Sequence, residues 1–323
     1  MNRTQQLYRQ TNNNITFKSL LQKHWNGHVV SRIPRTWSAF SSSIVKATDQ
    51  FIQSKLTQTV YGTKNTNRIS TAFPATFPNA IEKQKALNSL GYRVFLTTNE
   101  YNQSSTLEFL KTAPRTGNTF IGPSGFCLLN MAAIRLTNPS AQEGKDTIII
   151  ADISKNMEHF WKQASAIIKD APSPESVLKS IEDLLNSNAN SYYNNECGLF
   201  GSKTENEIVK EEIQALKEEI KNKESWLSDD ARFKAIQKVF KNNRFVFTRA
   251  DLCSTELKNE LASFLLKEKL KVDLFYVSNI SSMYADEAEA ARLRNLIASL
   301  VPEGSLFIHA DKPTREQTVI QRA

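Results

Sequence analysis

The chain is predicted to be an α/β protein built on a doubly wound, mostly parallel sheet, and three observations predict it. From about residue 79 onward, apolar runs of strand length alternate with helical periodicity five times, the pattern of a parallel sheet with right-handed crossovers. The strand-length runs, Thr147-Ile-Ile-Ile-Ala151 above all, lack polar alternation, as strands covered on both faces do. A glycine-containing turn, Gly122-Pro-Ser-Gly125, stands between a short apolar strand and a nearly all-apolar helix.

In order, Asn79 caps a helix expected to run through Leu90, with Gly91 as its stop. Tyr92–Thr97 reads as a strand and Ser104–Ala113 as a helix. Thr119–Ile121 is the strand before the glycine turn, and Phe126–Leu136 the helix after it. Thr147–Ala151 is the next strand, ending at Asp152, and Asn156–Ile168 the next helix.

Residues 170–243 then break the rhythm. Pro172 and Pro174 open this insertion, Asn186–Asn195 reads as a polar loop, and Glu205–Leu227 as a charged helix. On that helix Val209, Ile213, Leu216 and Ile220 form one apolar stripe, too short for a coiled coil and suited to packing on its own domain. The rhythm resumes with the strand Arg244–Thr248, Asp251 beyond its end, and a helix from Thr255 to Leu270 capped by Ser254. Val272–Val277 is a strand leading into Ser278-Asn279-Ile280, Asp286–Leu300 a helix and Ser305–His309 the fifth strand; Thr318–Gln321 reads as one more.

Composition separates an extension from this domain. The 323 residues are 40% hydrophobic and 23% charged, as in ordinary globular proteins, with a net charge of +8. Residues 1–100 carry 13 Lys/Arg against three acids, Asp49, Glu82 and Glu100, while the remainder carries 28 against 30. Residues 1–78 are therefore read as a basic, polar extension holding one helix around Trp37–Ile52, closed by Phe73-Pro-Ala-Thr-Phe-Pro78. Residues 79–323 form the α/β domain, with the helical insertion at about 170–243. A basic extension is either a solvated tail or a face for an anionic or protein partner. Its 48 acid-free residues have the composition of a mitochondrial transit peptide, but Asn and Gln are as frequent as Arg. A cytoplasmic location is expected, with a secreted bacterial effector as the alternative.

No apolar run approaches a membrane span. Cys127, Cys197 and Cys253 lie at wide intervals with no CxxC, which excludes a disulfide framework and a structural zinc site and suits a reducing compartment. Cys127 and Cys253 read as small buried hydrophobes. His24 and His28 have helical spacing but no acidic partner, so no metal site is expected; His159 reads as a packed histidine and His309 as a residue near the cleft.

In a doubly wound sheet, ligands bind beyond the carboxyl ends of the strands at the topological switch point. The residues there are Gly122, Ser124 and Gly125, then Asp152, Asp251, and Tyr276, Ser278 and Asn279. Glycines let a ligand approach bare backbone, and a helix N-terminus offers amides to an anion; a tight turn explains the same glycines. An acid after a strand can accept from ribose hydroxyls or cap the next helix, and both readings stand for Asp152 and Asp251. Tyr276 reads first as core.

Together these segments resemble the Rossmann-like class I S-adenosylmethionine (SAM)-dependent methyltransferases, close to an uncharacterised bacterial group. Gly122–Gly125 resembles their first loop, Asp152 the ribose acid and Asp251 the acid near the adenine amine. Asp273-Leu-Phe-Tyr-Val-Ser-Asn-Ile280 resembles the fourth strand and the loop beneath the transferred methyl, and Leu296–Ile308 the run through the fifth strand. The resemblance covers about residues 118–311. It implies SAM as cofactor, bound by Gly122, Ser124, Gly125, Asp152 and Asp251, and methyl transfer to an unidentified acceptor held by Asn279, with Ser278 and Tyr276.

Three departures from the family pattern are visible. The first loop is not GxGxG, about 99 residues separate Asp152 from Asp251, and the customary closing hairpin is not evident. The altered loop and the long insertion favour one alternative, a non-catalytic binding or effector protein on a degenerate methyltransferase fold; strand-end acids also serve many dinucleotides, which leaves another nucleotide-binding enzyme as a further alternative.

Overall fold

The computed structural model describes residues 77–87, 94–98, 100–123, 125–138, 145–193, 204–221, 223–252, 254–278, 280, 297–310 and 315–321. The expected helix at Trp37–Ile52, the stop at Gly91, Cys197, Cys253 and most of the expected helix Asp286–Leu300 lie outside these residues.

Two helices, α1 (Pro78–Leu87) and α2 (Gln103–Thr112), precede β1 (Thr119–Gly122). After it come α3 (Phe126–Thr137), β2 (Thr147–Asp152) and α4 (Lys155–Asp170). The insertion holds α5 (Pro174–Ser187), α6 (Ala189–Tyr193), α7 (Glu205–Lys221) and α8 (Asp230–Lys241). Then follow β3 (Phe245–Arg249), α9 (Thr255–Lys267), β4 (Val272–Ser278), β5 (Leu306–Ala310) and β6 (Gln317–Gln321).

The strands form one six-stranded sheet in the order β3-β2-β1-β4-β5-β6. The first five pair in parallel, and β6 runs antiparallel to β5, pairing Leu306 with Gln321 and Ala310 with Gln317. The α/β class is thus as expected. The closing antiparallel pair, not evident from sequence, is present.

Side chains one residue apart along each strand serve opposite faces, as the pleat requires. Phe120, Ile148, Ile150, Phe245, Phe247, Leu274 and Tyr276 pack under α2–α8. Ile121, Ile149, Ala151, Val246, Phe275 and Val277 pack under α1, α9 and residues 297–301. Burial on both faces is why these strands read as continuous apolar runs.

Helix starts follow side-chain chemistry. Ser154, Ser173, Asp229 and Ser254 each accept an amide from the first turn of α4, α5, α8 and α9. The start of α1 differs from expectation. Its amides at Asn79 and Ala80 donate to the Glu260 carboxylate of α9, at 2.8 and 3.0 Å, so a distant acid replaces Asn79 as the cap.

The insertion is more helical than its composition suggests. Asn186–Asn195, expected as a polar loop, contains the end of α5 and the short α6; Tyr192 and Tyr193 are fully buried there, with Tyr192 edge-on to His159 and Phe160 of α4. The helix expected to reach Leu227 ends at Lys221, and α8 follows, unforeseen. The apolar stripe of α7 packs inward on its own domain: Val209, Ile213 and Leu216 are buried and Ile220 packs against them. An aromatic layer joins α3, α4 and α8, with Phe126 edge-on to Trp226 at 5.5 Å and Phe240 stacked on Phe245 at 4.3 Å.

Candidate functional site

The strand order reverses between β1 and β4, so the carboxyl ends of these two strands form the switch point. Gly122 ends β1 there. A Cβ on it would lie 2.9 Å from the Tyr276 carbonyl oxygen, so the close approach of β4 accounts for the glycine. Gly125 caps α3 with φ 108°, a conformation that L side chains rarely adopt, and a Cβ would lie 3.2 Å from the Phe95 carbonyl. Gly125→Ala is accordingly expected to cost about 1–3 kcal/mol in denaturant unfolding; an unchanged midpoint would mean the turn relaxes freely. Ser124 and Asn279 lie outside the described residues.

The backbone facing Gly125 belongs to residues 94–98; residues 94–97, expected to lie in the strand Tyr92–Thr97, are not strand. Their side chains do alternate, with Val94 and Leu96 buried and Phe95 exposed, but they find no strand partner. The Leu96 carbonyl instead accepts the Phe126 amide at the start of α3, at 2.7 Å. The amides of Leu96 and Thr97 donate to Oε1 of Glu212, a buried acid of α7, at 2.6 and 3.1 Å. The insertion thereby holds this segment across the glycine turn.

The segment leads to Glu100, which is only 4% exposed. The Tyr276 hydroxyl and Gln317 Nε2 donate to its Oε2 at 2.9 and 2.8 Å, and the Ser278 hydroxyl donates to Oε1. Ser278 itself has φ 56°, and the β4–β5 register shifts between Tyr276 and Ser278. Tyr276 is therefore both core and polar: its ring is buried, and its hydroxyl binds the carboxylate. Burial, then the electrostatic influence of Cys127 and Glu100, holds its phenol protonated well above the ordinary range.

Cys127, in the first turn of α3, has its Sγ 3.7 Å from Gln317 Nε2. Burial raises its thiol far above the usual value, and Glu100 and Glu219 add to the effect. It is buried as expected, yet beside polar groups. Further along α3, Asn130 Nδ2 donates to Glu219 of α7, and Asn130 Oδ1 accepts the Trp226 amide at 2.9 Å.

At the other side of the crevice, Asp152 ends β2, and its Oδ1 accepts the Ser154 amide at 2.7 Å. That bond supports the start of α4, while the Ser154 hydroxyl makes the cap itself. In the ladder Asp152 lies opposite Arg249, whose charge is disfavoured first by burial. Asp251 follows β3, partly exposed, in the turn that leads to Ser254 and α9. His159, on α4, is exposed rather than core, edge-on to Tyr192 at 5.6 Å and 3.2 Å from Gln163 Nε2. His309 is the penultimate residue of β5, stacked on Phe307.

Tyr276 and Ser278 thus meet at Glu100, while Asp152 and Asp251 stand at the ends of β2 and β3. Sequence reasoning missed Glu100, Gln317, Glu212 and Glu219. Glu100 carried one signal, as one of three acids in the first hundred residues. Glu212 and Glu219 carried another, since seven-residue spacing puts both on the buried face of α7.

Among the described residues, no group of His, Cys, Asp and Glu is arranged to hold a metal ion, and no helix is long and apolar enough to cross a membrane. A family of domains of unknown function (DUF7790) matches residues 95–320, and the chain belongs to that family. No curated protein matches the chain.

Proposed function

We propose that this DUF7790 domain is a SAM-dependent methyltransferase acting on an acceptor bound at the carboxyl ends of β1 and β4. The observation that carries this reading is the arrangement at the switch point, with acids at the ends of β2 and β3 and a hydroxyl-lined carboxylate at the end of β4. The antiparallel β5–β6 pair supports it further, standing where the family's closing hairpin is customary.

The nucleoside end of SAM fits the residues present. Asp152 would accept from the ribose hydroxyls, and Asp251 lies one strand further, where the adenine amine is held in the family. The cofactor supplies a methyl on a sulfonium, already a good leaving group. The protein's contribution is therefore position rather than acid–base strength, and proximity and alignment supply most of the acceleration. Tyr276 and Ser278, locked on Glu100, define the polar wall on which an acceptor is oriented.

One observation favours a second reading, a binding protein on a degenerate methyltransferase fold. The first amide of α3 is taken by the Leu96 carbonyl, and both glycines face the chain's own backbone. The amino-acid end of SAM then needs groups other than this turn. On either reading, the basic N-terminal region is assigned to recruiting an acceptor, protein or anionic partner.

Calorimetric titration of SAM, S-adenosylhomocysteine and NAD separates the readings. Micromolar binding of the two sulfur nucleosides alone is expected. Asp152→Ala should weaken it at least tenfold, at a cost of about 1 kcal/mol in stability through the lost Ser154 contact. Full affinity in that variant would overturn the ribose assignment, and no binding of any of the three would favour the second reading.

A further inference from the structure

We propose that Glu100 and Gln317 form a binding site for a primary ammonium group. Glu100 is a buried carboxylate, and among the described residues no Lys, Arg or His pairs with it. Three neutral donors reach it, from Tyr276, Ser278 and Gln317. A carboxylate offers about four lone-pair positions, so one acceptor position remains.

The second, independent observation is Gln317. It is 4% exposed, and its Oε1 is a buried oxygen with no hydrogen-bond partner. Rotating the amide by a half-turn does not relieve this, because the oxygen would then face the carboxylate and the NH2 would lose its acceptor. The unused acceptor belongs to the same amide group that donates to Glu100. A buried acceptor left unmatched is costly, and a bound ion or ligand is one way in which its bonding is completed. Two acceptors, one of them anionic, call for a group that is positive and carries several N–H bonds. An ammonium meets both conditions, and a hydroxyl or an anion does not.

The surroundings agree with this sign of charge. Glu100 and, when ionised, Glu219 both act on the Cys127 thiol through their negative fields. The strained backbone at Ser278 keeps its hydroxyl on Glu100 and leaves the carboxylate preorganised.

An ammonium reaches this site from two sources. One is the amino-acid end of SAM, which rests on the function proposed above and supplies the partner that the glycine turn does not. The other is an amine-bearing acceptor, bound as its ammonium. The shared chemistry is the charged nitrogen, and the arms of one experiment distinguish the sources.

The full chain is titrated with SAM and with methylthioadenosine, which keeps the nucleoside and lacks the ammonium. The same protein is then melted with butylamine and, separately, with butanol. Each measurement is repeated on Glu100→Gln and on Gln317→Met, which retains the Glu100 charge should the first variant fail to fold.

If SAM is the source, it loses at least tenfold in affinity in the variants while methylthioadenosine is unchanged. If an acceptor is the source, butylamine raises the melting temperature of the native chain, butanol does not, and the variants lose the effect. Equal responses of native chain and variants to SAM and to butylamine overturn the site. Methylthioadenosine binding alongside that result leaves the nucleoside reading standing. A butylamine response without any nucleoside binding retains the ammonium site and removes the methyltransferase reading.

Discussion

Asp273→Asn is expected to destabilise the domain by about 3–5 kcal/mol, the cost of breaking one partner of a fully buried ion pair. Both Asp273 and Arg135 are completely buried. Arg135 donates from Nε and Nη2 to the two carboxylate oxygens at 2.8 and 3.0 Å. Its other hydrogens go to the carbonyls of Leu110, Ala113 and Pro114 at 3.1, 2.5 and 2.8 Å, so all five donors are used. Asp273 also accepts the amides of Thr116 and Gly117 at 2.8 and 3.2 Å.

This one pair therefore satisfies the end of α2, the turn before β1 and the start of β4. An amide in place of the carboxylate turns one acceptor into a donor aimed at other donors and leaves the guanidinium charge uncompensated. For a domain of this size the melting temperature should fall by roughly 10 °C. The pair also differs from an isolated buried ion pair, which apolar residues often replace at no cost. Arg135→Met with Asp273→Leu would orphan three carbonyls and two amides, so the double variant is expected to gain nothing over the single ones. Recovery to native stability in a denaturant-unfolding series would mean that water or local repacking satisfies those groups.

The same contrast between backbone pattern and distant side chains explains what could be read from the chain. Strands β1 to β5 were legible because burial on both faces leaves a local trace, an apolar run such as Thr147–Ala151. Their caps were partly legible, since Ser254 stands next to the helix that it caps. Residues 94–97, expected as strand and found without a strand partner, mark where local pattern stops being informative. Val94, Phe95 and Leu96 alternate as a strand does, but their partners, Glu212 and the Phe126 amide, lie 116 and 30 residues away. No periodicity encodes whether a neighbouring strand exists.

The site shows that limit more sharply. The places of Tyr276, Ser278, Asp152 and Asp251 at or just beyond strand ends were legible because strand ends are local features. Glu100 was not, because its bonds to Tyr276, Ser278 and Gln317 span 176, 178 and 217 residues. Helix α8 failed for a different reason. Phe233, Ile236 and Phe240 recur at helical spacing, but the Pro-opened, Asn-rich insertion obscured where one helix ends and the next begins.

Glu219 carries the second large expectation, a stability that depends on pH in an unusual sense. Burial, reinforced by the nearby Glu212, raises its carboxyl from 4.5 to about 7, against the opposing Asn130 hydrogen bond. A group whose folded pKa is raised favours folding while both states are protonated, below about 4.5. Between 4.5 and about 7 the unfolded chain ionises first, so this contribution falls as pH rises and is lost once the folded carboxyl ionises too.

The difference corresponds to a change on the order of 3 kcal/mol. Glu219→Gln keeps an oxygen for Asn130 and removes the ionisation. The variant should match the native chain near pH 4.5 and exceed it by up to about 3 kcal/mol at pH 8 in denaturant unfolding. A difference that stays constant across that range would mean that Glu219 does not titrate there. The effect also reaches the crevice. Glu219 ties α7 to α3 through Asn130, and the same helix carries Glu212, which holds the Leu96 and Thr97 amides. Ionisation near pH 7 is therefore expected to loosen the helix that presses residues 94–98 onto the glycine turn. Hydrogen exchange at Leu96 and Thr97, corrected for the intrinsic effect of pH, should accelerate above pH 7 in the native chain and stay level in Glu219→Gln.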